Sequence, residues 1–198
     1  MMAMAGCGEE AVEEPISTST IVLAEDGSFT QYRIENFDKE YYQLSELDSM
    51  IRQEVQAYVS ANPGQAADGG EIVRVETVSR APEDQSQAMV ALYFADSRTY
   101  EDYVAEVDQQ PDELFYGTME EALQQGYDLS GVLLDAKKGT VITPEQLEKS
   151  KTRMLLIFTD SFQIRCPSKV LYRSSNVSLT DAGYVDGSGE GLKYIVLK

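Results

Sequence analysis

The side chains that could carry out chemistry in this chain are carboxylates, tyrosines and two cysteines, because histidine and tryptophan are absent. Without histidine, no Ser-His-Asp or Cys-His nucleophile can form, and histidine-ligated zinc is excluded. Cys166 follows Arg165, but neighbouring side chains on a strand point to opposite faces. We therefore expect Cys166 to be a buried structural cysteine, with a reactive or disulfide-forming thiol as the alternative.

Carboxylates dominate the charge, with 34 Asp and Glu against 16 Lys and Arg and a net charge of −18. Two carboxylates are sufficient to hydrolyse a glycosidic bond. With so many acidic residues, however, the sequence nominates no particular pair. The negative charge repels phosphate backbones and anionic headgroups, so no nucleic-acid partner is expected. Solubility alone also accounts for such acidity.

The acidic and glycine-rich stretch 181–191 contains the best candidate metal ligands, Asp181, Asp186 and Glu190. Their oxygens suit calcium, but their spacing does not match that of an EF-hand loop. We therefore interpret the stretch as a polar connection between two strands. The sequence also lacks a phosphate-binding glycine loop, a CxxC pair and zinc-ligand spacing. No metal or other cofactor is predicted.

Twelve tyrosines offer aromatic surface for binding. The candidates are Tyr41, Tyr42 and Tyr116, which occur in the adjacent pairs Tyr41-Tyr42 and Phe115-Tyr116. Because adjacent side chains on a strand point to opposite sides, we expect at least one member of each pair to be exposed. Tyrosine provides a large contact area at low entropic cost. Packing within the core is the competing interpretation.

The most specific motif is Met4-Ala5-Gly6-Cys7, in which two small residues directly precede a cysteine. It resembles the lipobox of bacterial envelope lipoproteins, where the signal peptidase cuts before the cysteine and the thiol carries diacylglycerol. The resemblance implies that Cys7 is lipidated and that residues 1–6 are the remnant of a signal peptide. It also implies an extracytoplasmic protein anchored to a bacterial membrane. Such signals begin with a charged region and an apolar region, so we expect the natural start to lie upstream of Met1.

Behind the lipobox, residues 7–15 form a short acidic stretch that we interpret as a spacer between the lipid anchor and the domain. Residues 16–198 are predicted to fold as one domain, which their length allows. Predicted helices alternate with strands and hairpins, which favours the α+β class. We expect a mostly antiparallel or mixed sheet with several short-to-medium helices packed on it.

Local patterns predict the elements of the first half of this domain. Asp26-Gly27 predicts a hairpin between strands at 18–24 and 29–34. Apolar residues at helical spacing predict a helix that Ser45 caps and that ends by Asn62, because Pro63-Gly64 cannot continue it. A strand is predicted at 71–79, with Val73, Val75 and Thr77 on one face.

Further along, the apolar run 87–95 predicts a central strand. A helix should begin after Asp96 or Ser97, and capping boxes predict short helices after Thr118 and Thr143. A brief strand is predicted at 132–134. The C-terminal quarter is predicted to be β-structure, with strands at 153–158, 162–166, 169–172 and 192–197. A turn at 159–161 is predicted to reverse the chain between the strands at 153–158 and 162–166.

These features favour a binding or structural module of the cell envelope, which a lipid anchor on Cys7 holds near the membrane. Its partner would be an envelope protein or a glycan. The alternative is an envelope hydrolase that uses carboxylates to cleave polysaccharide or cell-wall material.

Overall fold

The computed structural model describes residues 15–108, 113–181 and 183–198, which form an α+β fold with two β-sheets. The predicted fold class is therefore confirmed. Cys7, the remnant at 1–6 and the spacer up to residue 14 lie outside the described residues.

The described strands, in chain order, are β1 (Thr20–Leu23), β2 (Phe29–Asn36), β3 (Val73–Arg80), β4 (Gln87–Phe94), β5 (Leu114–Thr118), β6 (Leu133–Asp135), β7 (Met154–Phe158), β8 (Gln163–Arg165), β9 (Val170–Ser174), β10 (Ser178–Leu179), β11 (Val185–Asp186) and β12 (Lys193–Leu197). The described helices are α1 (Leu44–Ala61), α2 (Ser97–Tyr103), α3 (Met119–Gln124) and α4 (Pro144–Lys149). A π-helical turn (Val104–Asp108) follows α2. None of the helices in the described ranges has the length and apolar character needed to cross a bilayer.

The larger sheet has seven strands in the order β10-β11-β8-β1-β2-β4-β3, and the smaller has five in the order β5-β7-β12-β9-β6. Within the described residues, β1 and β8 run parallel and the other strand pairs are antiparallel. As predicted, β4 is flanked on both sides, by β2 and β3.

The predicted hairpin of β1 and β2 is confirmed, with Leu23 opposite Phe29. Its turn contains Gly27 at a φ of 91°, a conformation that glycine adopts without a steric penalty. The carboxylate of Asp26 accepts hydrogen bonds from the backbone N–H and the hydroxyl of Ser28, at 3.0 and 2.7 Å. The sequence Asp-Gly-Ser thus closes this turn by local hydrogen bonding.

Side chains of the larger sheet alternate between two faces. The inner face carries Ile21 and Phe94, which are buried in one apolar cluster with Phe158 of the smaller sheet. The outer face carries Val22 and Tyr32, which are only partly buried. A second apolar cluster lies on the far side of the smaller sheet, beneath α3. Burial of apolar surface between the two sheets and on both sides of the smaller one therefore organises the fold.

The predicted cap of α1 at Ser45 is wrong. The helix begins at Leu44 after Gln43, whose side chain makes no capping hydrogen bond. The N–H groups of Glu46 and Leu47 both donate to the carbonyl of Gln43, at 3.1 Å, so helical hydrogen bonding is already established before Ser45. The end of the helix at Ala61, with Asn62 as its C-cap, agrees with the prediction.

The predicted face of Thr77 is also wrong, because β3 contains an irregularity between Val75 and Thr77. Val75 pairs with Leu92 and Thr77 pairs with Ala91, so these two residues of β3 lie opposite consecutive residues of β4. A β-bulge of this kind reverses the alternation. Thr77 therefore lies on the outer face, whereas Val75 lies on the inner one.

The C-terminal quarter departs from its prediction at the link 159–161. The strand β8 does not return against β7 but joins the larger sheet, with Ile164 parallel to Ile21. The ammonium group of Lys193, a fully buried residue, donates to the carbonyls of Thr159 and Asp160 at 2.5 and 3.1 Å. This contact holds the link as it passes from one sheet to the other.

The remaining caps were predicted correctly. Asp96 accepts a hydrogen bond of 2.7 Å from the N–H of Thr99 at the start of α2. Both capping boxes are formed, at Thr118 before α3 and at Thr143 before α4. Gly126, just beyond α3, has a φ of 96° and terminates that helix.

Candidate functional site

A cavity of about 230 Å³ lies between the first half of α1 and the inner face of the larger sheet. We name it the α1 cavity, and its lining residues are Arg33, Glu35, Phe37, Leu47, Ile51, Glu54, Ala88, Val90, Leu92 and Tyr103. Its base is formed by the short side chains of Ala88 and Val90 on β4, opposite Leu47 and Ile51 of α1. The second half of α1 instead buries Val55 and Tyr58 in the core. The cavity therefore lies where small side chains on the sheet leave the helix without close packing.

Charged groups line this apolar cavity at a few points. Arg33 and Glu35 come from β2, and Glu54 comes from α1. The Oε1 atom of Glu54 accepts a hydrogen bond of 2.9 Å from the hydroxyl of Tyr103, which fixes that carboxylate between α1 and the region of α2. An apolar concavity with a few fixed polar groups is the usual form of a ligand site.

Exposed aromatic side chains continue the cavity to the surface. Tyr41 is 72% exposed, Met50 is 55% exposed and Tyr42 is 40% exposed. The ring of Tyr42 lies 4.9 Å from those of Phe37 and Tyr41, centroid to centroid. We name this surface the tyrosine patch, and it comprises Phe37, Tyr41, Tyr42, Gln43, Glu46, Leu47 and Met50 around a depression of about 310 Å³. Because Phe37 and Leu47 line both depressions, the patch and the α1 cavity are adjoining parts of one surface.

The three predicted tyrosines do not form one site. Tyr41 and Tyr42 precede α1 outside any strand, so the strand rule does not apply and both are exposed. Tyr116 lies on β5, where its ring packs against the turn at Gly27. Burial raises the pKa of Tyr116, with further contributions from Cys166 and Glu25.

Tyr116 instead lines a polar groove of about 520 Å³ formed by α2, β5 and α3. We name it the polar groove, and it comprises Ser97, Arg98, Glu101, Asp102, Phe115, Tyr116, Gly117, Glu121, Gln125 and Tyr127. Rings and carboxylates thus face a common space, an arrangement suited to polar ligands with flat apolar faces.

Two carboxyl groups of the polar groove have opposite pKa shifts. Burial raises the pKa of Glu101 above its ordinary value, and the neighbouring carboxylates Glu113 and Asp102 add to this. Hydrogen bonds from the backbone N–H and the hydroxyl of Thr118, at 2.7 and 2.8 Å, lower the pKa of Glu121. The two carboxyl groups of the groove therefore differ in proton affinity, Glu101 through burial and Glu121 through its capping-box hydrogen bonds.

Of the three candidate metal ligands, Asp186 is engaged in local hydrogen bonds. Asp186 lies in β11, where its carboxylate accepts from the N–H of Ser188 at 2.9 Å and from the hydroxyl of Ser178 at 3.2 Å. Asp181 and Glu190 lie in the connections on either side of β11. Within the described ranges, no three Asp, Glu or Cys side chains gather as a metal site would require. Asp186 thus stabilises its own turn, and no residue of this stretch is assigned to a metal.

Cys166 is partly buried and packs against the main apolar cluster. Burial raises the pKa of its thiol to about 12. At neutral pH the group is therefore protonated and a poor nucleophile. This geometry favours the structural interpretation over the reactive one.

Sequence patterns did not reveal the residues that shape either concavity. Leu47 and Ile51 fit the helical repeat of any core-facing helix, and Ala88 fits any buried strand. Glu101 and Glu121 could not be distinguished among 34 acidic residues. The sequence did carry two relevant signals: the capping box at Thr118 identified Glu121 as hydrogen-bonded, and the adjacent aromatic pairs identified Tyr41, Tyr42 and Tyr116.

No protein-family model matches the chain, and no curated protein or solved structure matches it either. Function is therefore inferred from the sites themselves, since a fold alone does not specify an activity. The two candidates are the α1 cavity with its tyrosine patch, and the polar groove.

Proposed function

We propose that this chain is a binding module of the bacterial cell envelope, held outside the cytoplasm by lipid on Cys7. The binding site in this proposal is the α1 cavity together with the tyrosine patch. One observation carries the proposal: an apolar cavity opens to the surface beside exposed aromatic side chains. Exposed apolar patches on protein surfaces commonly mark interaction sites, and tyrosine is enriched at protein interfaces.

The position of Pro15, the last residue of the proposed spacer, supports this arrangement. Arg165 follows the buried Ile164 and pairs with Val22, so its side chain lies on the outer face of the larger sheet. The guanidinium of Arg165 donates a hydrogen bond of 3.4 Å to the carbonyl of Pro15. Pro15 is therefore on the face opposite the α1 cavity. A tether that ends there would leave the cavity open, and it would raise the effective concentration of the domain near envelope partners.

Filling the cavity tests the proposed site. Val90→Phe places a ring in the α1 cavity, whereas Val22→Phe makes the same change on the outer face. We expect the wild type and Val22→Phe to bind an uncharged phenyl-naphthylamine dye with the same affinity. Val90→Phe should bind it about tenfold more weakly while keeping the circular dichroism spectrum of the wild type. Unchanged dye binding in Val90→Phe, or no saturable binding by the wild type, would contradict the proposal.

A second candidate function is carboxylate-dependent hydrolysis of polysaccharide or cell-wall material in the polar groove. The opposite pKa shifts of Glu101 and Glu121 favour it, with Glu101 as the general acid. Phe115 and Tyr127 would supply stacking surfaces for sugar rings.

Incubation with purified cell-wall and exopolysaccharide fragments distinguishes the two candidates. Release of reducing ends by the wild type and by Glu83→Gln, but not by Glu101→Gln, would establish the hydrolase. Glu83 is exposed in the loop before β4, so its replacement is a matched control for loss of one carboxylate. Binding of a fragment without cleavage would count against the hydrolase.

A further inference from the structure

The binding surface runs along α1 as one elongated groove. Gln43 lines the tyrosine patch and Glu54 lines the far part of the α1 cavity, and the two are eleven positions apart in the sequence. At 1.5 Å of rise per residue, this separation corresponds to about 16 Å along the helix axis. That length accommodates about three turns of a partner helix or five residues of an extended chain. The groove is therefore large enough for two apolar anchors on one segment.

Carboxylates occur along this apolar groove and next to it in the sequence. Glu35 lines the cavity, Glu46 lines the patch, and Glu40 directly precedes Tyr41. All three are exposed, and in the part of the chain that the structure describes none of them belongs to an ion pair. Their charge is therefore available to a partner.

The nearby basic side chains are engaged within the protein. Lys39 lies 3.6 Å from a carboxylate oxygen of Asp38, and Arg52 lies 2.9 Å from one of Asp48. Arg80 stacks over the ring of Phe37 and donates to its carbonyl at 2.6 Å. Arg33, at the cavity, is also engaged in an interaction within the protein. Arg33 and Arg80 are outnumbered by the four carboxylates Glu35, Glu40, Glu46 and Glu54, so the groove presents net negative charge around an apolar surface, on a chain whose net charge is −18.

We infer that the groove binds a basic amphipathic segment of a protein partner, an inference that rests on the binding function proposed above. Apolar side chains of the segment occupy the α1 cavity and the tyrosine patch. Its Lys and Arg side chains meet Glu35, Glu40 and Glu46, and they also contact the exposed tyrosine rings. Anionic lipid headgroups are repelled by the same carboxylates, so charge complementarity favours a basic protein segment over a membrane surface.

Three matched peptides test the chemistry of the occupant. The probes are amphipathic helical peptides of leucine with lysine, of leucine with glutamine, and of leucine with glutamate, each titrated into the full chain. The key variant is E35Q/E40Q/E46Q. Its control, E71Q/E83Q/E190Q, removes the same three charges at exposed positions that do not line the groove.

We expect the lysine peptide to bind the wild type and the control equally, and to bind E35Q/E40Q/E46Q about tenfold more weakly. Raising the ionic strength should remove this difference, and Val90→Phe should weaken all binding. Equal binding of the lysine and glutamine peptides would overturn the basic partner while leaving the binding function intact. Equal loss in both triple variants would show non-specific attraction and also overturn the inference.

Binding to lipid vesicles tests the remaining alternative, in which the groove contacts a membrane surface. Sedimentation with phosphatidylcholine vesicles that is abolished by the double replacement of Tyr41 and Tyr42 with serine would identify a lipid surface as the occupant, against the inference. Failure of every peptide and of the uncharged dye to bind would instead contradict the proposed function itself.

Discussion

The hydroxyl of Tyr103 donates a hydrogen bond of 2.9 Å to Oε1 of Glu54, joining the end of α2 to the middle of α1. Tyr103 is buried against Tyr58 and Phe94, at ring-centroid distances of 5.0 and 5.5 Å, so its ring is fixed by the core. This contact anchors α1 to the core at the point where the helix begins to border the cavity. The position of α1 over the cavity thus depends in part on one buried phenol.

Tyr103→Phe should lower the free energy of unfolding by about 1–2 kcal/mol, because the ring packing survives while a hydrogen bond to a charged acceptor is lost. Urea titration followed by circular dichroism measures this. In a double-mutant cycle, Glu54→Gln should lower the free energy of unfolding by less in the Tyr103→Phe background than in the wild type. Strictly additive effects would show that the two residues are not energetically coupled.

Glu101→Gln should become more stabilising as pH rises. The pKa of Glu101 is raised above 4.5 by burial, so its contribution to stability is present at low pH and is lost as pH rises through the folded-state pKa. Glutamine keeps an acceptor for the N–H of Leu114 and carries no charge. Unfolding free energies of variant and wild type should therefore be close at about pH 4 and diverge in favour of the variant by about pH 7.

Glu121→Gln provides the control of opposite sign. The pKa of Glu121 is lowered, so its contribution is present above its ordinary pKa and is lost as pH falls. This variant should be less stable than the wild type near neutral pH, with a smaller deficit in acid. The same pH trend in both variants would contradict the opposite directions of the pKa shifts of Glu101 and Glu121.

Elements with strong local signals were predictable from the sequence, including the hairpin at Asp26-Gly27 and the capping boxes at Thr118 and Thr143. Local hydrogen-bonding groups largely determine such features. The predictions failed where contacts between residues distant in sequence determine the structure. The bulge after Val75 is set by pairing with β4, and the path of β8 depends on Lys193 and β1, which are remote in sequence.

The candidate site was predictable only in part. Tyr41 and Tyr42 were identified as binding candidates, and they do line the tyrosine patch. The cavity beside them depends on how Leu47 and Ile51 fit against Ala88 and Val90, and side-chain volumes across a helix–sheet contact leave no periodic signal.

Replacing both Tyr41 and Tyr42 with serine should lower stability only modestly. Tyr41 is 72% exposed, and the main loss is the stacking of Tyr42 on Phe37, which is worth about 0.5–1.5 kcal/mol. Binding of the lysine peptide should nevertheless weaken. Thermal melting and peptide titration of the same sample separate the two effects. Tyr184, which is partly buried beneath Arg165 and does not line the groove, offers a comparison: Tyr184→Ser should not weaken peptide binding.

Cys166 should react slowly with iodoacetamide in the folded protein. Burial raises the pKa of its thiol to about 12, so little thiolate is present near pH 8. The measurement is mass spectrometry of a Cys7→Ser variant, which leaves Cys166 as the single cysteine. Unfolding in urea at the same pH should accelerate labelling. A folded-state rate equal to the unfolded rate would contradict the buried environment of this thiol.

Cys7 should carry lipid when the chain is expressed behind a complete bacterial signal peptide. The expectation follows from the resemblance of Met4-Ala5-Gly6-Cys7 to a lipobox and from the acidic spacer that follows it. Metabolic labelling with an alkyne fatty acid should mark the wild type and Cys166→Ser equally, and it should not mark Cys7→Ser. The labelled protein should sediment with membranes, while Cys7→Ser should be recovered in the soluble extracytoplasmic fraction. Equal labelling of Cys7→Ser and the wild type would contradict lipidation at this residue and remove the basis for an anchored module.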